Sequence, residues 1–242
     1  MNRPLFYALL AGSAAALTTG YVMTRRSRPG PPYRVLAPET VIPILDPVID
    51  SYVADRVLIE MARLPGDEVT LVLHTGGGCM ISSVMIANAL REFRRSTAIV
   101  PHMALSGGTL IALNAHTLKM GRSAALSAVD PLVGGIRARH VPDTDKEYRA
   151  MAMESEEAMN RYLRETLRAR LEGQGDGAVE RAMRVFLGWE APHAWPIGRP
   201  EIEALGIEVG GAGSSWAAFV DALIGDRRPR QLVLSMGGRG RR

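Results

Sequence analysis

The sequence predicts an α/β domain built on a mostly parallel sheet. Three observations carry that prediction: apolar runs without alternation, a glycine turn soon after two of them, and helical periodicity after each turn. Val69–Leu73 (VTLVL) and Thr97–Val100 have the composition of strands buried on both faces. Gly76-Gly77-Gly78 follows the first and Ser106-Gly107-Gly108 the second. A strand, a turn and a helix, used twice, imply right-handed crossovers, with functional groups at the C-terminal ends of the strands.

The remaining elements follow in chain order. Ser51 to Leu64 carries apolar residues at helical spacing and stops at Pro65-Gly66. Met80 to Phe93 and Thr109 to about Ala115 are the helices after the two glycine turns. Lys119-Met120 closes a short strand. Asp145 to Leu171 is a long charged helix, Val179 to Leu187 a second, and Arg199 to Leu205 a short one before a strand at Gly206 to Val209.

Composition limits the function classes. With 242 residues, 47% hydrophobic and 22% charged, the chain has room for one domain and a short extra segment, which excludes a wholly disordered or collagen-like chain. No internal period marks a solenoid. Aromatics are only 5%, so the core rests on Leu, Ile, Val, Ala and Met. Cys79 is the single cysteine, which excludes an intramolecular disulfide framework and a cysteine-rich zinc site. The five histidines lack metal-ligand spacing, and no cofactor is expected. The net charge of +4 gathers at the two ends, at Arg25, Arg26 and Arg28 and at Arg239, Arg241 and Arg242. No basic stripe with interleaved aromatics appears, so nucleic acid is not an expected partner.

Pro4 to Met23 is 20 residues without a charge, just enough to span a bilayer as a helix. Residues 1–26 are read as an N-terminal transmembrane anchor, with a cleaved signal peptide as the competing reading because the alanine run offers a cut site. Arg3 lies before the span and Arg25, Arg26, Arg28 and Arg34 after it, which places the following domain on the cytoplasmic side. Residues 27–40 are a Pro-rich linker, 41–228 the domain, and 229–242 a basic Gly/Arg-rich tail.

The glycine turns are the candidate site. His74-Thr75-Gly76-Gly77-Gly78 lets backbone approach a ligand and presents N–H groups at a helix start. It has neither G-x-G-x-x-G spacing nor a P-loop lysine, so a nucleotide site has little support. Ala104-Leu105-Ser106-Gly107-Gly108-Thr109 has the form of a nucleophile turn, though the strict G-x-S-x-G pattern is absent. Ser106 is equally placed to cap the helix behind it, and on local sequence alone the cap is the simpler reading. Two glycine turns on neighbouring strands favour the other reading, because together they supply two N–H donors around one hydroxyl.

These residues resemble a known family. Leu73-His74-Thr75-Gly76-Gly77-Gly78 is similar to an L-H-T-P-G-G turn, and Val100 to Leu113 to V-P-H-Y-A-M-S-G-G-T-L-I-A-L. Met120 with Val129-Asp130-Pro131, and His193-Ala194-Trp195-Pro196-Ile197 with Leu205 to Val209, resemble two later blocks of the serine dehydrogenase proteinase family. That family is a branch of the Clp protease subunit and signal peptide peptidase A clan. The resemblance spans roughly residues 40 to 210. It implies a Clp/crotonase-like fold with repeated β-β-α units, here behind a transmembrane helix. It further implies that Ser106 is the nucleophile, that the amides of Gly77 and Gly107 form an oxyanion hole, and that the chain is a homo-oligomer acting on peptide or protein substrates. Gly76, Leu132, His116 and Ala194 depart from the family pattern.

A serine nucleophile needs a base. In the Clp protease subunit the histidine follows the serine by about 25 residues; here that count reaches Asp130-Pro131, with no histidine. Membrane-bound Ser–Lys relatives place a lysine several tens of residues on, and Lys146 lies forty positions after Ser106. It is one of only two lysines, the other being Lys119. A free lysine titrates near ~10.4, so a lysine base at neutral pH needs about 4 kcal/mol of differential stabilisation. Asp143, Asp145 and Glu147 work against that, and a solvated helix-start residue stands as the even alternative for Lys146. His102 and His193 are possible supporting residues, with His74 and His116 further out. The sequence thus reads as a membrane-anchored serine peptidase with a Ser106–Lys146 dyad. A catalytically silent membrane scaffold of the same fold is the alternative. A crotonase-type acyl-CoA enzyme ranks third, because no carboxylate is evident near either glycine turn.

Overall fold

The structure, a computed structural model, describes residues 40–225. The expected anchor, all but the last residue of the linker, and the basic tail lie outside the described residues. Among the described residues no helix is long and apolar enough to cross a membrane.

Five strands form the central sheet: β1 (Val41–Ile44), β2 (Glu68–Leu73), β3 (Arg95–Val100), β5 (Thr117–Met120) and β10 (Gly210–Gly211). They lie side by side in that order, and every pairing is parallel. β2 and β3 are the two apolar runs of the sequence, and each finishes on three consecutive buried residues, as a strand covered on both faces must. Sequence periodicity did not identify β1, a four-residue run too short to show a pattern. It also placed the last strand at Gly206–Val209, whereas Ile207 and Val209 are buried and the pairing begins at Gly210.

The helices take the predicted places. α1 (Ser51–Ala62) starts at Asp50, whose carboxylate accepts from the Val53 amide at 2.9 Å. α2 (Met80–Arg91) and α3 (Gly107–Asn114) follow the glycine turns. α3 is buried at every position, so the nucleophile turn rests on a helix inside the core. Its C-terminus is capped by Arg170, which donates to the carbonyls of Leu113, Ala112, Ala115 and His116. Burial pulls that guanidinium down to about 10. Arg170 ends the long helix α4 (Lys146–Arg170), which buries Ala152, Met159, Leu163, Thr166 and Leu167 along one face. α5 (Asp176–Phe186) packs against α4, and α6 (Arg199–Ala204) and α7 (Ser214–Gly225) complete the helices.

A second sheet is made of β4 (Met103–Ala104), β6 (Ala125–Leu126) and β9 (Ile197–Gly198), paired in that order. The hairpin of β7 (Leu132–Val133) and β8 (Ile136–Arg137) stands apart from both sheets. Two-residue strands of this kind carry no periodic signal, which is why the sequence did not reveal them.

Candidate active site

The two glycine turns converge. Thr75 and Ala104 form a parallel bridge, with the Thr75 amide on Met103 O at 3.2 Å and the Leu105 amide on Thr75 O at 3.0 Å. A Cβ added to Gly77 would sit 2.6 Å from Ser106 Cβ and 2.9 Å from the Gly107 amide nitrogen. Only glycine permits that approach, and its φ of +94° is a second reason for glycine there.

Ser106 is not a helix cap. It occupies the position before α3, yet its side chain makes no capping hydrogen bond. Its backbone sits at φ 49°, ψ −115°, and it is the one non-glycine residue with positive φ among those described. Such a conformation costs about 1–3 kcal/mol and persists only where the surroundings impose it. Here they do: the Ser106 amide donates to Ser127 Oγ at 2.8 Å, the Ser127 amide to Thr109 Oγ1 at 2.9 Å, and Thr109 Oγ1 to Ala104 O at 2.8 Å. The turn is tied to the strand before it and to the segment after β6.

The two expected oxyanion donors fare differently. The Gly77 amide donates to Thr75 Oγ1 at 3.2 Å, within its own loop. The Gly78 amide nitrogen is the one that comes up to Gly107, 3.5 Å from where a Gly107 Cβ would stand. Gly76 replaces the family's proline, and its amide donates to Pro47 O at 3.1 Å, a bond that proline cannot make.

Ser106 opens into a cleft of about 620 Å³. Lining it with the glycine turns are Met80, Leu110, Val129, Leu132 and Met159, and with them Asp130 and His193. His193 Nδ1 lies 2.9 Å from Asp130 Oδ1, and Arg137 Nε donates to Asp130 Oδ2 at 2.6 Å. Asp130 is 2% exposed. Burial alone would push its carboxyl up; the hydrogen bonds and charges of His193 and Arg137 outweigh that and hold it below the usual carboxylate range. A carboxylate does therefore reach the glycine turns, contrary to the sequence reading, but both its oxygens are engaged.

Lys146 is not at this site. It is exposed at the first position of α4 and does not line the cleft. The part of α4 that does reach it is Ser155 and Met159; Ser155 lies nine positions along the helix from Lys146, a rise of about 13 Å. The structure thus does not bring Lys146 to the cleft that Ser106 lines. Lys119 lies in β5. His102 pairs with Asp221 at 3.1 Å and meets the His74 ring edge-on at 5.6 Å, while His116 Nδ1 lies 2.7 Å from Ser96 Oγ at the far end of the sheet. None of these three histidines lines the cleft. Among the described residues no cluster of three or more His, Cys, Asp or Glu is arranged to hold a metal ion.

Sequence reasoning named Ser106, Gly107 and His193 but missed Asp130 and Arg137 as site residues. A signal for Asp130 was present, a carboxylate at the spacing where the Clp subunit carries its histidine, with a histidine in the last family block.

Known proteins resemble this chain in both sequence and fold. Two uncharacterized proteins of Methanocaldococcus jannaschii, MJ1495 and MJ0137, are 29% and 28% identical over 171 and 167 residues, 64% of this chain in each case. The alignments span 57% and 58% of those two proteins, so the chain matches less than two thirds of their length. Among solved structures, ClpP1 from Listeria monocytogenes and a point mutant of it each superpose with a TM-score of 0.53, covering 76% of this chain and 98% of theirs. At 17% and 14% identity these two show the fold, an α/β ClpP-like architecture. The model of one protein family matches residues 40–212, a span that holds both glycine turns, Asp130 and His193. The chain belongs to the family of ClpP-like SDH-type serine proteinases.

Proposed function

We propose that this chain is a serine peptidase in which Ser106 is the nucleophile, His193 the base and Asp130 the residue that orients it. The observation that carries this reading is the sharing of one cleft by a strained serine turn and a histidine hydrogen-bonded to a buried carboxylate. With Nδ1 turned to Asp130, the other ring nitrogen of His193 is left for the serine proton. Ser106 Oγ attacks the peptide carbonyl and passes its proton to His193 as the new C–O bond forms. The carbonyl oxygen becomes an oxyanion facing the amides of Gly107 and Gly78. Collapse breaks the C–N bond, and His193 returns the proton to the leaving amine. Water then releases the acyl group by the same sequence. Asp130 stays ionised throughout, and its charge favours the imidazolium that forms in each half-reaction.

The cleft walls are mostly apolar, which suits an extended peptide with uncharged side chains. By likeness to its family the chain is read as a homo-oligomer. The uncharged Pro4–Met23 span, with its arginines on the following side, supports a membrane tether with the peptidase domain on the cytoplasmic side; resistance to carbonate extraction, lost on deleting residues 1–26, tests that part. The peptidase reading is tested with a fluorophosphonate probe and mass spectrometry. Labelling at Ser106, absent in Ser106→Ala, is expected; a folded protein that the probe leaves unmodified would oppose it.

A further inference from the structure

One side chain binds the acid of this site and also the loop that carries its histidine. Arg137 closes the β7–β8 hairpin with its side chain 17% exposed. Its Nε donates to Asp130 at 2.6 Å, one terminal nitrogen to Ala191 O at 3.0 Å, and the other to Leu187 O at 3.2 Å and to Gly188 O. Leu187, Gly188 and Ala191 open the irregular stretch that runs through His193 to β9. Gly188 is part of the seat: it sits at φ +61°, and a Cβ there would come within 2.9 Å of Ala128 Cβ and meet the Arg137 guanidinium. A planar fork of donors can serve a carboxylate and three carbonyls at once; an ammonium cannot.

We infer that Arg137 is the positioning residue of the Ser106 site, fixing the distance between Asp130 and the His193 loop and balancing the Asp130 charge. This rests on the peptidase reading. Asp130 stands between two partners, and among the described residues Arg137 is the only permanent cation bonded to it. Without Arg137 the buried anion has His193 alone as counterion, and that favours protonated imidazole. The other charges around the loop are engaged elsewhere: Arg139 with Glu156 and the Trp189 ring, and Arg184 with Glu190. α4 offers the cleft uncharged Ser155 and Met159, and the start of α2 offers Cys79 and Ser83.

Arg139 supplies the control. It donates to Leu187 O at 2.7 Å, on the same loop, and its ion pair is with Glu156 rather than Asp130. The test compares the full chain with Arg137→Met, Arg137→Lys and Arg139→Met, each checked for folding by circular dichroism. The readouts are the pH profile of peptide hydrolysis and the His193 ring titration by NMR. Arg137→Met is expected to lose about a hundredfold in kcat with KM little changed, and to move the acid limb and the His193 titration up by about one pH unit. Arg137→Lys keeps the charge and loses the fork, so the acid limb stays near its normal position while kcat falls about tenfold. Arg139→Met loosens the loop with the acid limb unmoved. The inference is overturned if folded Arg137→Met titrates like the parent chain, or if Arg139→Met moves the acid limb as far. Should Arg137→Met not fold, a Lys variant with unchanged kcat overturns it instead. The NMR arm needs no turnover: a parent chain that is never labelled at Ser106 while its His193 titration still answers to Arg137 defeats the peptidase reading and leaves the clamp standing.

Discussion

The two halves of the site are held by different forces. The serine half is held inside the core: Ser106 leads into α3, buried at every position, and its turn is tied by backbone bonds to the neighbouring loop and by the fully buried hydroxyls of Ser127 and Thr109. The histidine half is held by polar contacts. His193 lies on an irregular stretch between Leu187 and Ile197 that exposes Trp189 and Trp195, and the bonds from Arg137 and Arg139 fasten its start. A core helix tolerates no displacement without opening a cavity, so the nucleophile is fixed at the cost of backbone strain at one residue. A loop held by hydrogen bonds can be shifted by changing one donor. The serine and its base therefore lose their precision under different perturbations.

The most severe loss belongs to the serine half. Ser106→Ala should abolish hydrolysis, a loss of at least ~10⁴-fold, while leaving the fold intact because α3 keeps every buried residue. Residual turnover within tenfold of the parent would move the nucleophile elsewhere. Gly77→Ala comes next, since the added methyl would meet Ser106 Cβ, the Leu105 carbonyl and the Gly107 amide at φ +94°. Activity should fall by ~10²–10³-fold and the urea midpoint should drop with it, by about 2–4 kcal/mol of stability.

Arg170→Met separates packing from chemistry. It removes the donors that serve four carbonyls at the end of α3 and should cost about 2–4 kcal/mol in urea unfolding, with kcat at low temperature nearly unchanged. If kcat fell while stability held, the serine half would not be governed by the core.

The histidine half gives a pH signature. The Asp130 carboxyl is depressed in the folded state, so its contribution to stability is fully present above the ordinary carboxylate range near ~3.9 and is lost as pH falls through the folded value. Asp130→Asn should therefore flatten the acid limb of stability against pH, seen as urea midpoints at pH 7 and pH 3 that lie closer together than in the parent. An unchanged slope would mean that the bonds of Asp130 with His193 and Arg137 contribute nothing to folding. A milder effect is expected at the rim. Cys79 is exposed and lines the cleft; burial raises its thiol, but hydrogen bonds from Ser82 and the Ile81 amide outweigh that and leave it below the ordinary thiol value. Iodoacetamide should slow hydrolysis several-fold, and Cys79→Ala should be indifferent to it.

The same division decided what could be read in the chain. The serine half is local: a buried strand, two glycines and an apolar helix follow one another within about twenty residues, and each leaves a pattern. β2, β3, α1 to α6 and the convergence of the glycine turns were legible for that reason. The histidine half is assembled from residues far apart in sequence: Asp130 and His193 are 63 positions apart, and Arg137 and Gly188 are 51. No periodicity encodes such a meeting. Lys146 drew attention because lysine is rare here, yet rarity says nothing about which turn of a helix faces a cleft; α4 presents Ser155 and Met159 there and leaves its first residue in solvent.

The base is decided most sharply by the rate of peptide hydrolysis in His193→Ala and Lys146→Ala, measured side by side in the folded full chain. A histidine base requires a loss of at least ~10³-fold for His193→Ala and no more than about a twofold change for Lys146→Ala. Near-normal turnover in His193→Ala with collapse in Lys146→Ala would contradict it.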